Sequence, residues 1–115
     1  MVTRTAIVVD DQPAFCCVAR DLLGAAGFDV VGEAGDAAGA RAAVERLRPD
    51  VVLLDVRLPD GSGVDVARGL RDTASSTLVI LTSTADYTAE ARNCGVAFIP
   101  KIELTVEALQ QAVGR

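Results

Sequence analysis

At 115 residues the chain has the size of one domain with room for a buried core, and half of it is hydrophobic but only 3% aromatic, so Val, Leu, Ile and Ala must build that core. A net charge of −5 leaves no basic patch of the kind a free-standing nucleic-acid binder shows. No apolar stretch approaches the roughly 18 residues of a membrane span and no signal peptide is visible, so the expectation is a cytoplasmic protein without membrane contact.

Thr5–Val9 reads as a first strand. Asp10, Asp11 and Gln12 then lead to Pro13, which suits the first turn of a helix. Phe15, Val18 or Ala19, and Leu22 recur at helical spacing, with Gly24 and Gly27 as stops. Val30–Val31 gives a short second strand. Asp36 suits the N-cap of a helix carrying Ala40, Ala43, Val44 and Leu47 on one face and ended by Pro49. Val51–Leu54 is the third strand, and Val56 to Gly63 a Pro- and Gly-rich loop. Ser62 and Asp65 resemble a capping box for a helix reaching Arg71. Thr77–Leu81 is the fourth strand, followed by a short, weakly amphipathic helix over Tyr87–Cys94 that Gly95 closes. Ala97–Ile99 is the fifth strand, placed at an edge because Pro100 cannot donate to a ladder. Thr105 caps a last helix that turns Leu109 and Val113 inward.

Unbroken runs of Val, Ile and Leu are the mark of strands buried on both faces. Alternation of such strands with helices predicts an α/β fold, a doubly wound five-stranded parallel sheet with helices on both faces. The expectation is a single domain over residues 1–115, with no linker, repeat or output domain.

Cys16, Cys17 and Cys94 are odd in number and lack metal-type spacing, so they read as small apolar core residues in a reducing compartment. Histidine is absent, which removes imidazole bases, histidine metal ligands and Ser–His–Asp catalysis from consideration.

The apolar runs share one feature: each ends in polar side chains. The first runs into Asp10–Asp11, the third into Asp55, the fourth into Thr82–Ser83 and the fifth into Lys101, the only lysine. Each has an ordinary explanation taken singly, as a helix cap, turn residue, strand end or surface charge. Together they lie beyond the carboxyl ends of buried parallel strands, where ligands bind in such sheets. Three neighbouring carboxylates raise one another's pKa unless a cation compensates them. Oxygen-only ligands favour a hard ion, Mg²⁺ above all, whose open positions accept phosphate oxygens. A carboxylate can also act as nucleophile and form an aspartyl-phosphate, with Mg²⁺, Lys101 and Thr82 neutralising the phosphoryl oxygens.

With Asp10–Asp11, Asp55, the loop Leu58–Pro59–Asp60–Gly61–Ser62–Gly63, Thr82 and Lys101 at these spacings, the sequence resembles the response-regulator receiver domains of bacterial two-component signalling, the chemotaxis-type receivers among them. The resemblance covers essentially the whole chain. It implies a flavodoxin-like strand order 2-1-3-4-5. It also implies that Asp55 accepts a phosphoryl group from a partner's phosphohistidine. Asp10, Asp11, Asp55 and the backbone carbonyl of Arg57 would hold Mg²⁺, while Thr82 would bond a phosphoryl oxygen and Lys101 would pair with it. Phe98 stands where the family usually carries a switchable aromatic, most often Tyr, so a switch there must work by packing. Many members follow the lysine with a cis proline; here Pro100 precedes Lys101 and Ile102 follows, so that device should be absent. Ser83, Thr84 and Arg57 flank the site and would tune phosphoryl lifetime.

The function expected is a phosphoacceptor signalling switch that assists its own phosphorylation and dephosphorylation without being an enzyme in the ordinary sense. Its partners would be a histidine kinase or phosphotransfer protein and a downstream protein reading the surface of the fourth helix, fifth strand and fifth helix, with a homodimer as an open state and no direct nucleic-acid contact. The alternative is a receiver-like interaction module that works without phosphorylation. A flavin or nucleotide enzyme on the same fold fits poorly, since neither a Walker-type loop nor a G-x-G-x-x-G follows a strand. An aspartyl-phosphate phosphatase would carry Asp-x-Asp, whereas this chain reads Asp10–Asp11–Gln12 and Asp55–Val56–Arg57.

Overall fold

The computed structural model describes residues 3–74 and 76–114. The strands of its main sheet are β1 (Thr5–Val9), β2 (Asp29–Ala34), β3 (Val51–Asp55), β4 (Leu78–Ser83) and β5 (Ala97–Pro100). They pair in parallel in the order β2-β1-β3-β4-β5, so the doubly wound, flavodoxin-like arrangement is the one observed. The helices are α1 (Pro13–Ala25), α2 (Ala37–Leu47), α3 (Gly63–Thr73), α4 (Thr88–Cys94) and α5 (Val106–Val113), with a 3₁₀ turn at Lys101–Glu103.

Strand alternation divides the core in two. Ala6, Val8, Val51, Leu53 and Ile80 turn to one face and pack with Cys16, Ala19 and Leu23 of α1 and Leu109 of α5. Ile7, Val9, Val52, Leu54, Val79 and Leu81 turn to the other and meet residues of α2, α3 and α4. The central strand β3 is buried along its whole length, as its unbroken apolar run requires.

Several boundaries differ from the sequence reading, each for a local reason. β2 spans six residues, because an edge strand alternates exposed and half-buried positions and its Asp29, Gly32 and Glu33 carry no apolar signal. At Gly32 a Cβ would come within 2.8 Å of Leu47 Cδ1, so α2 packs closely on the strand there. β4 runs on to include Thr82 and Ser83, and α1 continues past Gly24 to Ala25. Ser62 caps α3 by accepting from the Val64 N–H at 3.1 Å, but Asp65 pairs with Arg68 at 3.2 Å and does not close a capping box. The loop after β3 contains a short antiparallel ladder, Arg57–Leu58 against Gly61–Ser62. Cys16 is buried as expected, whereas Cys17 is exposed and belongs to no core. Ala19, not Val18, takes the inward position of α1. Among the described residues no helix is long and apolar enough to cross a membrane.

α4 is the most weakly held helix. It has seven residues and buries only Ala91; Tyr87 at its N-cap makes no side-chain bond, and the first N–H, of Thr88, donates instead to Asp86 Oδ1 at 2.9 Å. Its far end is tied down by Arg71 of α3, whose Nη1 donates to the carbonyls of Cys94 and Gly95, both at 2.8 Å. Arg71→Met is expected to speed amide exchange in α4 by about five- to tenfold, roughly the loss of one net hydrogen bond, while the sheet's exchange stays unchanged. Hydrogen exchange resolved by residue checks this.

Candidate functional site

Register assembles the site. β1 and β3 pair with Val9 beside Leu54, β3 and β4 with Asp55 beside Thr82, and β4 and β5 with Thr82 beside Ile99. The residue after Val9 therefore lies near Asp55, and Lys101, the residue after Pro100, lies two steps past Ile99. The Asp10 N–H still donates to the Ala34 carbonyl at 3.0 Å, so Asp10 leaves the strand with its backbone fixed.

Asp10, Asp11 and Asp55 each place a carboxylate oxygen within 4.8 Å of the others. Asp10 and Asp55 are buried and Asp11 is exposed at the rim. Asp10 is held at both oxygens: Oδ1 accepts from the Gln12 N–H at 2.9 Å, and Oδ2 accepts from Lys101 Nζ at 2.7 Å. The same ammonium stands 3.8 Å from Asp55 Oδ2 and 4.1 Å from the centroid of the Phe15 ring. Asp55 Oδ1 has a longer contact, 3.4 Å, with the Arg57 N–H. Asp11, Gln12, Asp55, Arg57, Ser83, Thr84 and Lys101 line a cavity of about 280 Å³ at this edge.

Thr82 lies beside Asp55 in the sheet, yet its hydroxyl donates to the Ile99 carbonyl at 2.7 Å and is fully buried. The side chains of that strand end which line the cavity are Ser83 and Thr84. Ser83 Oγ accepts from the Ala85 N–H at 3.1 Å, fixing the turn after β4. Phe98 is half-buried against the α2–α3–α4 face. Peptide bonds are trans throughout the described residues, so the cis-proline device is absent at Pro100–Lys101–Ile102.

Burial, then the Asp10 charge, pushes the Asp55 carboxyl up to about 6, against the pull of Lys101 and of the Arg57 N–H. Burial also pushes the Cys16 thiol up, with Glu33 and Asp10 adding to it. That thiol donates to the Asp10 carbonyl at 3.4 Å, a structural role.

The loop that follows Asp55 is fixed at two points that composition alone does not reveal. A Cβ on Gly63 would strike the Asp55 carbonyl and come within 2.9 Å of Val56 Cα, so only glycine lets α3 start against this backbone. Asp60 reaches across to α2, accepting from the N–H groups of Ala37 at 2.6 Å and Ala38 at 3.1 Å, while Asp36 caps Gly39 at 2.6 Å. Those two bonds hold the Asp60 carboxyl below the usual carboxylate range. Asp60 reads in sequence as a turn residue, and Phe15 as one more apolar residue of α1. The pairing of either with a distant element has no sequence signal.

Comparisons with known proteins agree with this geometry. The family model for the response regulator receiver domain matches residues 6–113. The DNA-binding transcriptional activator DevR/DosR of Mycobacterium tuberculosis is 53% identical over 64 residues, 55% of this chain and 30% of that protein. The transcriptional regulatory protein PdtaR of the same species is 31% identical over 120 aligned positions, 99% of this chain and 58% of that protein. The signal receiver domain of NarL, also from M. tuberculosis, superposes with a TM-score of 0.84 at 35% identity, over all of both chains. The chain thus spans between 30% and 58% of the length of these two curated relatives.

A carboxylate whose pKa is raised by folding binds its proton more tightly in the native state, so Asp55 costs stability progressively as pH rises from about 4 to 6 and the full cost persists above 6. Asp55→Asn is therefore expected to be more stable than wild type at pH 8 by on the order of 2–3 kcal/mol, with the difference shrinking toward zero near pH 4. Urea unfolding at both pH values in metal-free buffer measures it.

Proposed function

This chain belongs to the response regulator receiver family, and we propose from that premise that it is a phosphoacceptor switch with Asp55 as the acceptor. The observation that carries the reading is the buried pair Asp10–Asp55 with Asp11 at its rim and the Lys101 ammonium set between the two buried carboxylates. The donor set is oxygen-only and poorly compensated by a single ammonium, which suits a hard divalent cation. Asp10, Asp11, Asp55 and the backbone carbonyl of Arg57 would hold Mg²⁺, which supplies charge neutralisation for the phosphoryl oxygens when bound.

The protein's own groups do the rest. Near pH 7.5 Asp55 is predominantly ionised despite its raised pKa and can attack phosphorus with one oxygen. The P–N bond to the donor histidine breaks, the imidazole leaves, and an O–P bond to Asp55 forms. Lys101, already 3.8 Å from Asp55, pairs with the incoming phosphoryl oxygens. Thr82, one strand over in register, turns its hydroxyl from Ile99 to a phosphoryl oxygen. Ser83, Thr84 and Arg57 line the cavity and govern the access of water, hence the lifetime of the acyl phosphate.

The donor is a histidine kinase or phosphotransfer protein, since the chain has no histidine of its own. The chain is a phosphoacceptor and not an enzyme that turns over a separate substrate. DNA binding, which the name of DevR/DosR carries, is not assigned to this domain, whose charge is −5. The downstream reader is a protein that contacts α4, β5 and α5.

Incubation with Mg²⁺ and a small acyl phosphate is expected to add the mass of one phosphoryl group to wild type and none to Asp55→Ala. Lys101→Ala should slow the uptake by at least about tenfold, as loss of a charged oxyanion partner does. Intact-protein mass spectrometry and peptide mapping read both. A label that persists at another residue in Asp55→Ala would sink the assignment, and no label on wild type would favour the phosphorylation-independent module.

A further inference from the structure

We propose that Phe15 is the positioning residue for Lys101, holding its ammonium at the mouth of the site whichever partner the carboxylates take. The proposal rests on the phosphoacceptor reading for its functional consequence, but the contact itself can be judged without it.

Lys101 stands where the chain leaves the edge of the sheet. It opens a 3₁₀ turn that has no side-chain cap, directly after the edge strand β5, which pairs only with β4. Ile102 beside it is 94% exposed and packs on nothing. The side chain crosses from this turn, closed by the Leu104 N–H on the Lys101 carbonyl at 3.2 Å, to reach Asp10, and a lysine has four torsions to fix on the way. Three groups surround its nitrogen: Asp10 Oδ2 at 2.7 Å, Asp55 Oδ2 at 3.8 Å and the Phe15 ring centroid at 4.1 Å.

The two carboxylates are variable partners. Asp10 belongs to the oxygen cluster that suits a divalent cation, and its Oδ2 cannot serve a cation and the ammonium equally. Asp55 ceases to be a free carboxylate once it carries a phosphoryl group. The ring neither titrates nor binds metal, and its negative face attracts an ammonium at this distance. It is also fixed in place. Phe15 lies in the first turn of α1, packed against the cluster that buries Cys16, Ala19 and Leu23. Helix α1 therefore presents a rigid platform to a flexible cation.

Lys101 is the only lysine, so lysine labelled with ¹³C at Cε gives one side-chain resonance that reports on this nitrogen. In wild type its ε-methylene protons are expected to be shifted upfield by the ring current, with and without Mg²⁺. In Phe15→Leu they should move to the random-coil position with faster local motion. Replacing Phe15 by mono-, di- and trifluorophenylalanine keeps the shape and weakens the negative face. The rate of Asp55 phosphorylation by acetyl phosphate should fall stepwise along that series and about three- to tenfold in Phe15→Leu, while Phe15→Tyr stays within about twofold of wild type. A rate flat across the fluorine series, or a Lys101 resonance unmoved in Phe15→Leu, overturns the proposal. If wild type takes up no phosphoryl group, the phosphoacceptor reading fails instead, and the Lys101 resonance alone then decides whether Phe15 holds the ammonium.

Discussion

Two carboxylates buried side by side at the end of adjacent strands set the terms for everything around them. Asp10 and Asp55 are almost entirely withdrawn from water, and the Asp10 charge adds to the cost of ionising Asp55. One ammonium stands between them, fully engaged with Asp10 and only approaching Asp55. The compensation is incomplete, and the incompleteness falls on Asp55. A site with surplus buried negative charge favours whatever brings positive charge. A divalent cation answers that demand, and under the proposed function it would be needed all the more, because an acyl phosphate carries more negative charge than the carboxylate it replaces.

The fold exists to sustain this arrangement at tolerable cost. A sheet buried on both faces by aliphatic side chains supplies the stability that the buried carboxylates subtract. The in-step register of β1, β3 and β4 is what delivers Asp10 and Asp55 to the same place, and a slip of one residue on either side would turn a carboxylate to the opposite face. The loop after Asp55 is then pinned from two directions, by Gly63 against its backbone and by Asp60 on the first turn of α2. With N–H groups of Ala37, Ala38 and Gly39 accepted by Asp60 and Asp36, the start of α2 becomes a fixed strut for the loop after Asp55.

Much of this could be read from the chain alone, and the failures have a common cause. Strands β1 and β3 announce themselves because both faces are apolar, whereas edge strand β2 alternates and contains Gly32, so only its Val30–Val31 centre carried a signal. The polar residues that end the strands were legible as a set, since a parallel sheet gathers such ends by topology. The direction in which each side chain bonds was not. Thr82 sits where the pattern places it, yet its hydroxyl faces Ile99, a matter of rotamer. Phe15 over Lys101 and Asp60 on α2 are contacts between elements distant in sequence, and neither residue type is unusual where it occurs. Local patterns specify elements; pairwise encounters across the fold depend on packing that no short window contains.

The Thr82–Ile99 bond links the site to the surface that the proposed function would switch. A hydroxyl has one proton to donate, so Thr82 cannot serve the Ile99 carbonyl and a phosphoryl oxygen together. Turning to the phosphoryl group removes a buried bond from β5, the edge strand held by a single neighbour, at a cost comparable to one hydrogen bond, about 1 kcal/mol. That is small against the charge-assisted bond gained, and it falls next to Phe98, which packs toward the face that carries α4. α4 in turn buries one residue and is held at its C-terminal end by Arg71 and at its start only by the local bonds of Asp86 to Thr88. A modest rearrangement at Asp55 therefore meets, along Thr82, Ile99 and Phe98, progressively weaker restraint. The sheet's buried centre has no comparable freedom, so under the proposed function the response would be directed outward to α4 and β5.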